Sequence, residues 1–174
     1  IEGRFIHAAC RSVGTFDCDN ALVNQIHDCA VRSQRGNIQG LPVDCPQRSE
    51  RLGWLGDAHV TAEEAMMNLD MATLYAKWLR DIKKHQREDG GISQISPRPG
   101  FELDTTWSAA YILIPWYMYL NYGDVGILKE HYDSHKLYIQ FLSTDGEGCI
   151  ARPPSHGDHL SVVNGFTKGS PVSM

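Results

Sequence analysis

The chain has 174 residues, a formal net charge of −5 and 42% hydrophobic residues, which is the composition of an ordinary globular protein. The mild acidity argues against a nucleic-acid-binding protein, because no stripe of lysine and arginine is available to neutralise phosphates. The longest apolar stretch, Ala109 to Leu120, is about half the length that a bilayer crossing requires, so we expect no contact with a membrane.

The first predicted elements are an extended segment and a helix. Residues 5–16 alternate weakly between apolar and polar side chains, which predicts one or two short strands. Asp19 or Asn20 then caps a helix, because apolar residues follow at helical spacing: Leu22, Val23, Ile26, Cys29 and Ala30. One glycine and two prolines predict a loop over residues 37–46.

Two further helices are predicted before residue 92. One begins near Gly56 and runs through Met66. The next begins near Asp70 and ends in the cationic turn 83–85, where the helix dipole favours positive charge. Its predicted inward residues are Leu74, Trp78, Leu79 and Ile82.

The remaining elements are a long loop, two helices and a tail. Residues 92–104 contain prolines and glycines, which predict a loop of the kind that carries function. A helix over about 105–122 contains Pro115, which predicts a kink, and Gly123 ends it. A fifth helix over about 124–143 is predicted to bury Ile127, Leu128, Leu137, Ile139 and Leu142. The residues after Gly146 predict only a turn-rich tail.

Short connections between these helices predict stacked helical hairpins, as in an α/α barrel or a solenoid. No repeat of fixed period is present, and the tail stops in mid-pattern, as a truncated domain would. No signal peptide precedes the first turn signals, which predicts a mature chain, an intracellular chain or an excised piece.

Cysteine and histidine residues give little support to a metal site. The five cysteines form an odd set without a CxxC pair, so we expect buried free thiols rather than disulfides or structural zinc. His131 and His135 have the spacing of two metal ligands, but no third ligand is evident, and a solvent-facing pair is the better interpretation. His156, Asp158 and His159 suggest a similar metal group, but they lie in the turn-rich tail, which makes a metal site the weaker interpretation. We therefore predict no metal and no cofactor.

Residues 44–57 are the segment that carries chemistry. They combine three carboxylates, two arginines and a tryptophan on a loop interrupted by Pro46, Gly53 and Gly56. Cleavage of a glycosidic bond needs a protonated carboxyl group beside ionised ones, and Trp54 offers an apolar face for a sugar. On composition alone, a salt-bridged, solvated turn is the better interpretation, with Asp57 as a charge at a helix start.

The run DCPQRSERLGWLGDAH at residues 44–59 closely resembles the motif of bacterial α-L-rhamnosidases of glycoside hydrolase family 78, which reads D-C-P-Q-R-x-E-R-x-G-W-x-G-D. Further segments that resemble the family occur in the family's order on both sides of this run. They are 14–16 and 20–34 before it, and 77–81, 88–91, Trp107, 114–116 and 122–124 after it. The resemblance covers almost the whole chain.

The resemblance implies an all-α fold, part of an (α/α)6 barrel with about five helices and a short N-terminal strand remnant. Residues 1–16 would connect to a preceding β-sandwich domain, and residues 17–174 would be the N-terminal part of the barrel, truncated at its C-terminus. The remaining domains of the same enzyme are then the expected partners. A cytoplasmic, periplasmic or secreted bacterial protein fits equally well.

The resemblance also implies an activity. The family releases terminal L-rhamnose from α-linked oligosaccharides and glycosides with inversion of configuration. Glu50 matches the general acid, and Asp44 and Asp57 match carboxylates that contact rhamnose and stabilise the charged transition state.

Further pocket residues are implied in the same way. Trp54 and Trp107 match aromatic residues on the apolar side of the pocket, which suits the methyl group of a deoxysugar. Arg48 and Arg51 are expected to orient the substrate or line the pocket.

Two departures from the family pattern and a missing base leave alternatives open. Ser49 stands at a motif position where the family commonly has an acidic residue. Ala109 stands where family members often have an aspartate after a Trp-Gly pair. The family's catalytic base lies well downstream, and the pair Glu63-Glu64 is better interpreted as a surface helix pair. We therefore expect the chain alone to be inactive. The alternatives are an inactive sugar-binding or scaffolding fragment and a related (α/α)6 hydrolase with another sugar specificity.

Overall fold

The computed structural model describes residues 1–98 and 103–143. Within these ranges it forms five α-helices, which are α1 (Ala21–Gly36), α2 (Leu55–Asn68), α3 (Ala72–Lys84), α4 (Ala110–Tyr122) and α5 (Val125–Leu142). The all-α prediction and the number of helices are confirmed. None of the helices in the described ranges is long and apolar enough to cross a bilayer. The predicted tail, with His156, Asp158 and His159, lies outside the described residues.

The N-terminal segment is extended but forms no regular strand, so the predicted strand remnant is wrong. Ser12 makes an isolated antiparallel bridge with Leu69. The Val13 amide donates to the Asn68 carbonyl at 2.9 Å, and the Asp70 amide donates to the Arg11 carbonyl at 2.8 Å. The Ala8 amide also donates to the Ile38 carbonyl at 2.7 Å. These isolated hydrogen bonds are too few and too scattered to form a strand.

Helix α1 begins where the sequence predicts. The side chain of Asn20 accepts hydrogen bonds from the amides of Leu22 and Val23, which satisfies two donors of the first turn. Its apolar side chains are nevertheless exposed, with Leu22 at 63% and Ile26 at 60%. The apolar face of α1 is therefore left largely uncovered by the part of the chain that the structure describes.

The core lies between α2, α3, α4 and α5. Helix α2 packs chiefly against α4, and α4 in turn packs against α5. The face of α2 in this contact consists largely of alanines, and such small side chains let two helix axes approach closely. In α3, the predicted inward residues Trp78, Leu79 and Ile82 are fully buried, whereas Leu74 is partly buried.

Helix α4 begins at Ala110, five residues later than predicted. The preceding residues form a turn, because the Asp104 side chain accepts hydrogen bonds from the amides of Thr106 and Trp107, each at 2.9 Å. The helix continues through Pro115 and ends at Gly123 in the left-handed conformation, as predicted.

Helix α5 buries a different set of residues from the one predicted. Ile127 and Leu142 are buried as predicted and Leu128 is partly buried, but Leu137 and Ile139 are 46% and 49% exposed. The inward positions are instead occupied by His131, Ser134, Tyr138 and Phe141.

The predicted solvent-facing histidine pair is also wrong. His131 is fully buried, and His135 is half-buried. The ring of His135 makes an edge-to-face contact with the Tyr111 ring of α4 at a centroid distance of 4.7 Å, and the Tyr111 hydroxyl lies 2.9 Å from His131 Nδ1. Both histidines therefore belong to the contact between α4 and α5.

Candidate active site

The motif loop is held in place by the long loop that precedes α4. Trp78 of α3 donates from Nε1 to the Ser96 carbonyl at 3.0 Å. The Ser96 amide donates to the Gly53 carbonyl, and the Leu55 amide donates to the Gln94 carbonyl, both at 2.9 Å. A Cβ at Gly53 would lie 2.0 Å from the Ser96 carbonyl oxygen, so only glycine permits this approach.

Two tryptophans from distant parts of the sequence meet at the start of α2. Trp54 precedes the helix, and its ring makes an edge-to-face contact with Trp107 at a centroid distance of 5.3 Å and an angle of 81°. A Cβ at Gly56 would lie 2.5 Å from Cδ2 of Trp107, so the indole packs directly on the helix backbone. The two aromatic residues that the sequence predicts for the apolar side of a pocket are thus in contact.

Asp44 and Arg51 close the motif loop from opposite sides. Asp44 Oδ1 accepts from the Leu52 amide at 2.9 Å, and the Asp44 amide donates to the Leu52 carbonyl at 3.1 Å. Arg51 has a positive φ of 47°, and its Nε donates to the Pro46 carbonyl at 3.0 Å. The exposed Arg51 side chain is therefore engaged with its own loop.

Glu50 accepts contacts from two donors of the same motif. Trp54 Nε1 donates to Glu50 Oε1 at 2.9 Å. Arg48 Nη2 forms an ion pair with Glu50 Oε2 at 2.7 Å, and the Glu50 side chain is 32% exposed to solvent. The carboxyl group is thus oriented at both oxygens and still reaches solvent.

Cys45 lies between these acidic and basic groups, a position that the sequence does not predict. Its thiol donates to Asp44 Oδ2 at 2.6 Å and accepts from Arg48 Nε at 3.1 Å. Burial raises the pKa of the Cys45 thiol, and the hydrogen bond to Asp44 adds to this effect, so the thiol keeps its proton. The described cysteines are free thiols, as predicted, but Cys45 is the buried one among them; the others are Cys10, Cys18 and Cys29.

A cavity of about 120 Å³ opens beside the motif, lined by Asp44, Trp54 and Asp57 together with Val43 and Thr61. Asp57 lies in the first turn of α2. Ligand sites commonly enclose at least about 300 Å³, so this cavity is too small to be a complete ligand site.

The structure thus connects six of the predicted site residues by direct contacts or a shared cavity: Asp44, Arg48, Glu50, Trp54, Asp57 and Trp107. Arg51 is the exception, since its side chain turns back to the loop backbone.

One group of side chains has the spacing of metal ligands. One ligand-type atom each from Asp44, Cys45 and Glu50 lies within 4.8 Å of the other two. Arg48 already places a guanidinium between the thiol and the glutamate, and that charge opposes a metal cation there. The absence of a metal stays a prediction.

Residues 11–171 match the family described as the bacterial alpha-L-rhamnosidase 6 hairpin glycosidase domain. The chain belongs to this family. An alpha-L-rhamnosidase of Formosa agariphila is 34% identical over 160 residues, which cover 90% of this chain and 17% of that protein.

Solved structures of the family have the same fold. The alpha-L-rhamnosidase from Dictyoglumus thermophilum matches with a TM-score of 0.75 and 47% identity over 79% of this chain and 16% of that one. The Streptomyces avermitilis alpha-L-rhamnosidase complexed with L-rhamnose matches with a TM-score of 0.79 and 30% identity over 91% of this chain and 14% of that one. The chain therefore corresponds to one portion of a six-hairpin glycosidase domain and spans about 17% of the length of its curated relatives.

Proposed function

We propose that this chain supplies the acid-catalyst side of the active site of a larger, inverting α-L-rhamnosidase. Terminal α-L-rhamnosides are the substrates, Glu50 is the general acid, and the catalytic base comes from a part of the enzyme outside this chain. The observation that carries the proposal is the hydrogen bond of Glu50 to Trp54, which lines a cavity together with Asp44 and Asp57. Family membership supports the choice of sugar.

Glu50 has the mobility and the neighbours that proton donation requires. Its Oε1 is fixed by Trp54, whereas the partner of Oε2 is Arg48, whose side chain is 63% exposed. The exposed guanidinium can swing into solvent and leave Oε2 to carry a proton towards the departing glycosidic oxygen. General acids of this kind contribute about 10²- to 10⁴-fold to the rate.

The other predicted residues have separate roles around the sugar. Asp44 and Asp57, on the cavity wall, bind sugar hydroxyls and stabilise positive charge on the ring in the transition state. The edge-to-face pair of Trp54 and Trp107 gives the apolar surface for the methyl group of rhamnose. Arg48 orients Glu50 before the substrate binds.

Asp44 is too close to Glu50 to be the base of an inverting reaction. An oxygen of each lies within 4.8 Å of the other, whereas an inverting pair is separated by about 6.5–9.5 Å to admit water. Glu63 is exposed on α2, and Glu64 accepts a hydrogen bond from Asn68. These contacts support a base outside the chain.

Proton NMR of the first-formed rhamnose anomer tests the inversion: the β anomer is expected, and the α anomer would exclude it.

Replacement of Glu50 by glutamine in the complete enzyme tests the acid. Glutamine keeps the shape and the acceptor for Trp54 but cannot donate the proton, so turnover of an alkyl α-L-rhamnoside should fall about 10²- to 10⁴-fold. The loss should be smaller for 4-nitrophenyl α-L-rhamnoside, because nitrophenolate leaves with little help from an acid.

The matched control is Glu63→Gln, an exposed glutamate of α2, which should leave both rates unchanged. Equal losses on the alkyl and nitrophenyl substrates, or none on either, would remove Glu50 from the acid role. A parent enzyme that binds rhamnose without hydrolysing any rhamnoside would favour the sugar-binding alternative, and activity on other aryl glycosides would favour a different sugar.

A further inference from the structure

The contacts of Cys45 form a junction between the residues that the proposed mechanism assigns to different tasks. The thiol donates to Asp44 Oδ2 at 2.6 Å, and Arg48 Nε donates to the sulfur at 3.1 Å. Glu50 Oε2 lies 3.7 Å from the same sulfur, and Arg48 Nη2 binds that oxygen at 2.7 Å. One buried sulfur therefore touches a sugar-binding carboxylate, a guanidinium and the acid.

We infer that Cys45 is a positioning residue of the rhamnoside-cleaving site, which fixes Asp44 towards the sugar and holds Arg48 at Glu50 through one protonated thiol. This inference rests on the proposed function. The thiol has both kinds of hydrogen-bonding capacity that the junction needs, since its proton is directed to Asp44 and its lone pairs face Arg48.

The protonated form of the thiol is required for this role. A thiolate could not donate to Asp44 and would instead place a second negative charge beside that carboxylate. The 7% exposure of Cys45 and its hydrogen bond to Asp44 both favour the protonated form. A nucleophilic role is thereby excluded, because the thiolate is the reactive species of cysteine.

The junction also explains how Asp44 is held. Asp44 Oδ1 is bound by the Leu52 amide, and Oδ2 is bound by the thiol. Loss of the thiol would free one oxygen and let the carboxylate rotate about its remaining hydrogen bond. Misplacement of a catalytic group by about 1 Å can cost about 100-fold in rate.

Two substitutions in the complete enzyme separate positioning from packing. Cys45→Ala removes the donor and the acceptor, whereas Cys45→Ser keeps both on a smaller atom. We expect Cys45→Ala to lower kcat about 10- to 100-fold, with a smaller change in KM, and Cys45→Ser to recover most of the lost rate.

The control is Cys10→Ala, another non-exposed cysteine, which lies in the N-terminal segment. It should change neither kcat nor KM. Equal losses of rate and of melting temperature in Cys45→Ala and Cys45→Ser would reduce Cys45 to a packing role. Unchanged kinetics in Cys45→Ala beside an inactive Glu50→Gln would overturn the inference alone, whereas a parent without rhamnoside hydrolysis would overturn the proposed function.

Discussion

The indole of Trp107 reaches the site by lying on the backbone of Gly56, a residue of the motif. The ring leaves no room for a side chain, because a Cβ at Gly56 would be 2.5 Å from Cδ2 of Trp107. The same ring meets Trp54 edge to face. A single glycine thus determines how close the proposed apolar wall comes to the helix that carries Asp57.

Gly56→Ala tests this contact. Alanine is a better helix former than glycine, so propensity alone predicts a small gain in stability. Displacement of Trp107 by the new methyl group should instead cost about 1–3 kcal/mol in the free energy of unfolding and raise KM for rhamnosides.

Chemical denaturation and initial-rate kinetics on the complete enzyme measure both effects. Gly36→Ala in α1 is the matched control, since its Cβ would meet Phe5 at an ordinary 3.5 Å. Equal behaviour of the two variants would contradict the close approach of Trp107 to Gly56.

The motif resemblance selects candidate site residues by position, but it does not predict most of their contacts. In the structure Asp44, Trp54 and Asp57 line one cavity, and Glu50 is hydrogen-bonded to Trp54. The junction at Cys45 was missed, because an odd cysteine indicates only a free thiol until Asp44 and Arg48 are seen on either side of it. For Arg51, the position in the motif predicts an orienting or pocket role, whereas in the structure its φ is positive and its side chain donates to the Pro46 carbonyl of the same loop.

At the scale of elements, the contact between α4 and α5 is polar at its centre. The Tyr111 hydroxyl lies 2.7 Å from Ser134 Oγ and 2.9 Å from His131 Nδ1. Burial lowers the pKa of His131 to about 4, despite the opposing effect of Glu130, and burial likewise lowers the pKa of His135 to about 4. Both rings are therefore neutral in the folded chain at neutral pH.

This contact predicts a loss of stability in acid. Between pH 6.5 and about 4 the unfolded chain takes up protons on these histidines and the folded chain does not, so the free energy of unfolding falls as the pH falls through this window. Urea titrations of the chain followed by circular dichroism should place the loss there.

His131→Asn, which keeps a polar atom near Tyr111 and cannot titrate, should weaken this pH dependence. The control His85→Asn, at the end of α3, should leave it unchanged. Identical pH dependence in the parent and in His131→Asn would contradict the assignment.

In helix α5 the spacing of apolar residues in the sequence predicts the helix but not the face that it buries. Its length and ends were predicted nearly correctly, because Asp124 caps it and apolar residues recur along it. The inward face was predicted wrongly, since Leu137 and Ile139 seemed better core residues than His131. The reason lies in another element: the buried Tyr111 hydroxyl of α4 needs hydrogen-bond partners, and His131 and Ser134 on α5 supply them.

At the scale of the whole molecule, several helix faces are apolar and exposed. Leu22 and Ile26 on α1 are 63% and 60% exposed, and Leu137 and Ile139 on α5 are close to half-exposed. A (α/α)6 barrel has further helices that would cover such faces, and this chain spans about 17% of its curated relatives. The same absent portion is where the proposal places the catalytic base.

The most direct test compares the 174-residue chain with the complete enzyme in one assay, the release of nitrophenol from 4-nitrophenyl α-L-rhamnoside. Turnover is expected of the complete enzyme and not of the chain alone, because the proposed acid, Glu50, lies in the chain and the proposed base lies outside it. Comparable turnover by the chain alone would contradict the division of acid and base between this segment and the rest. Turnover by neither would contradict the proposed rhamnosidase activity itself.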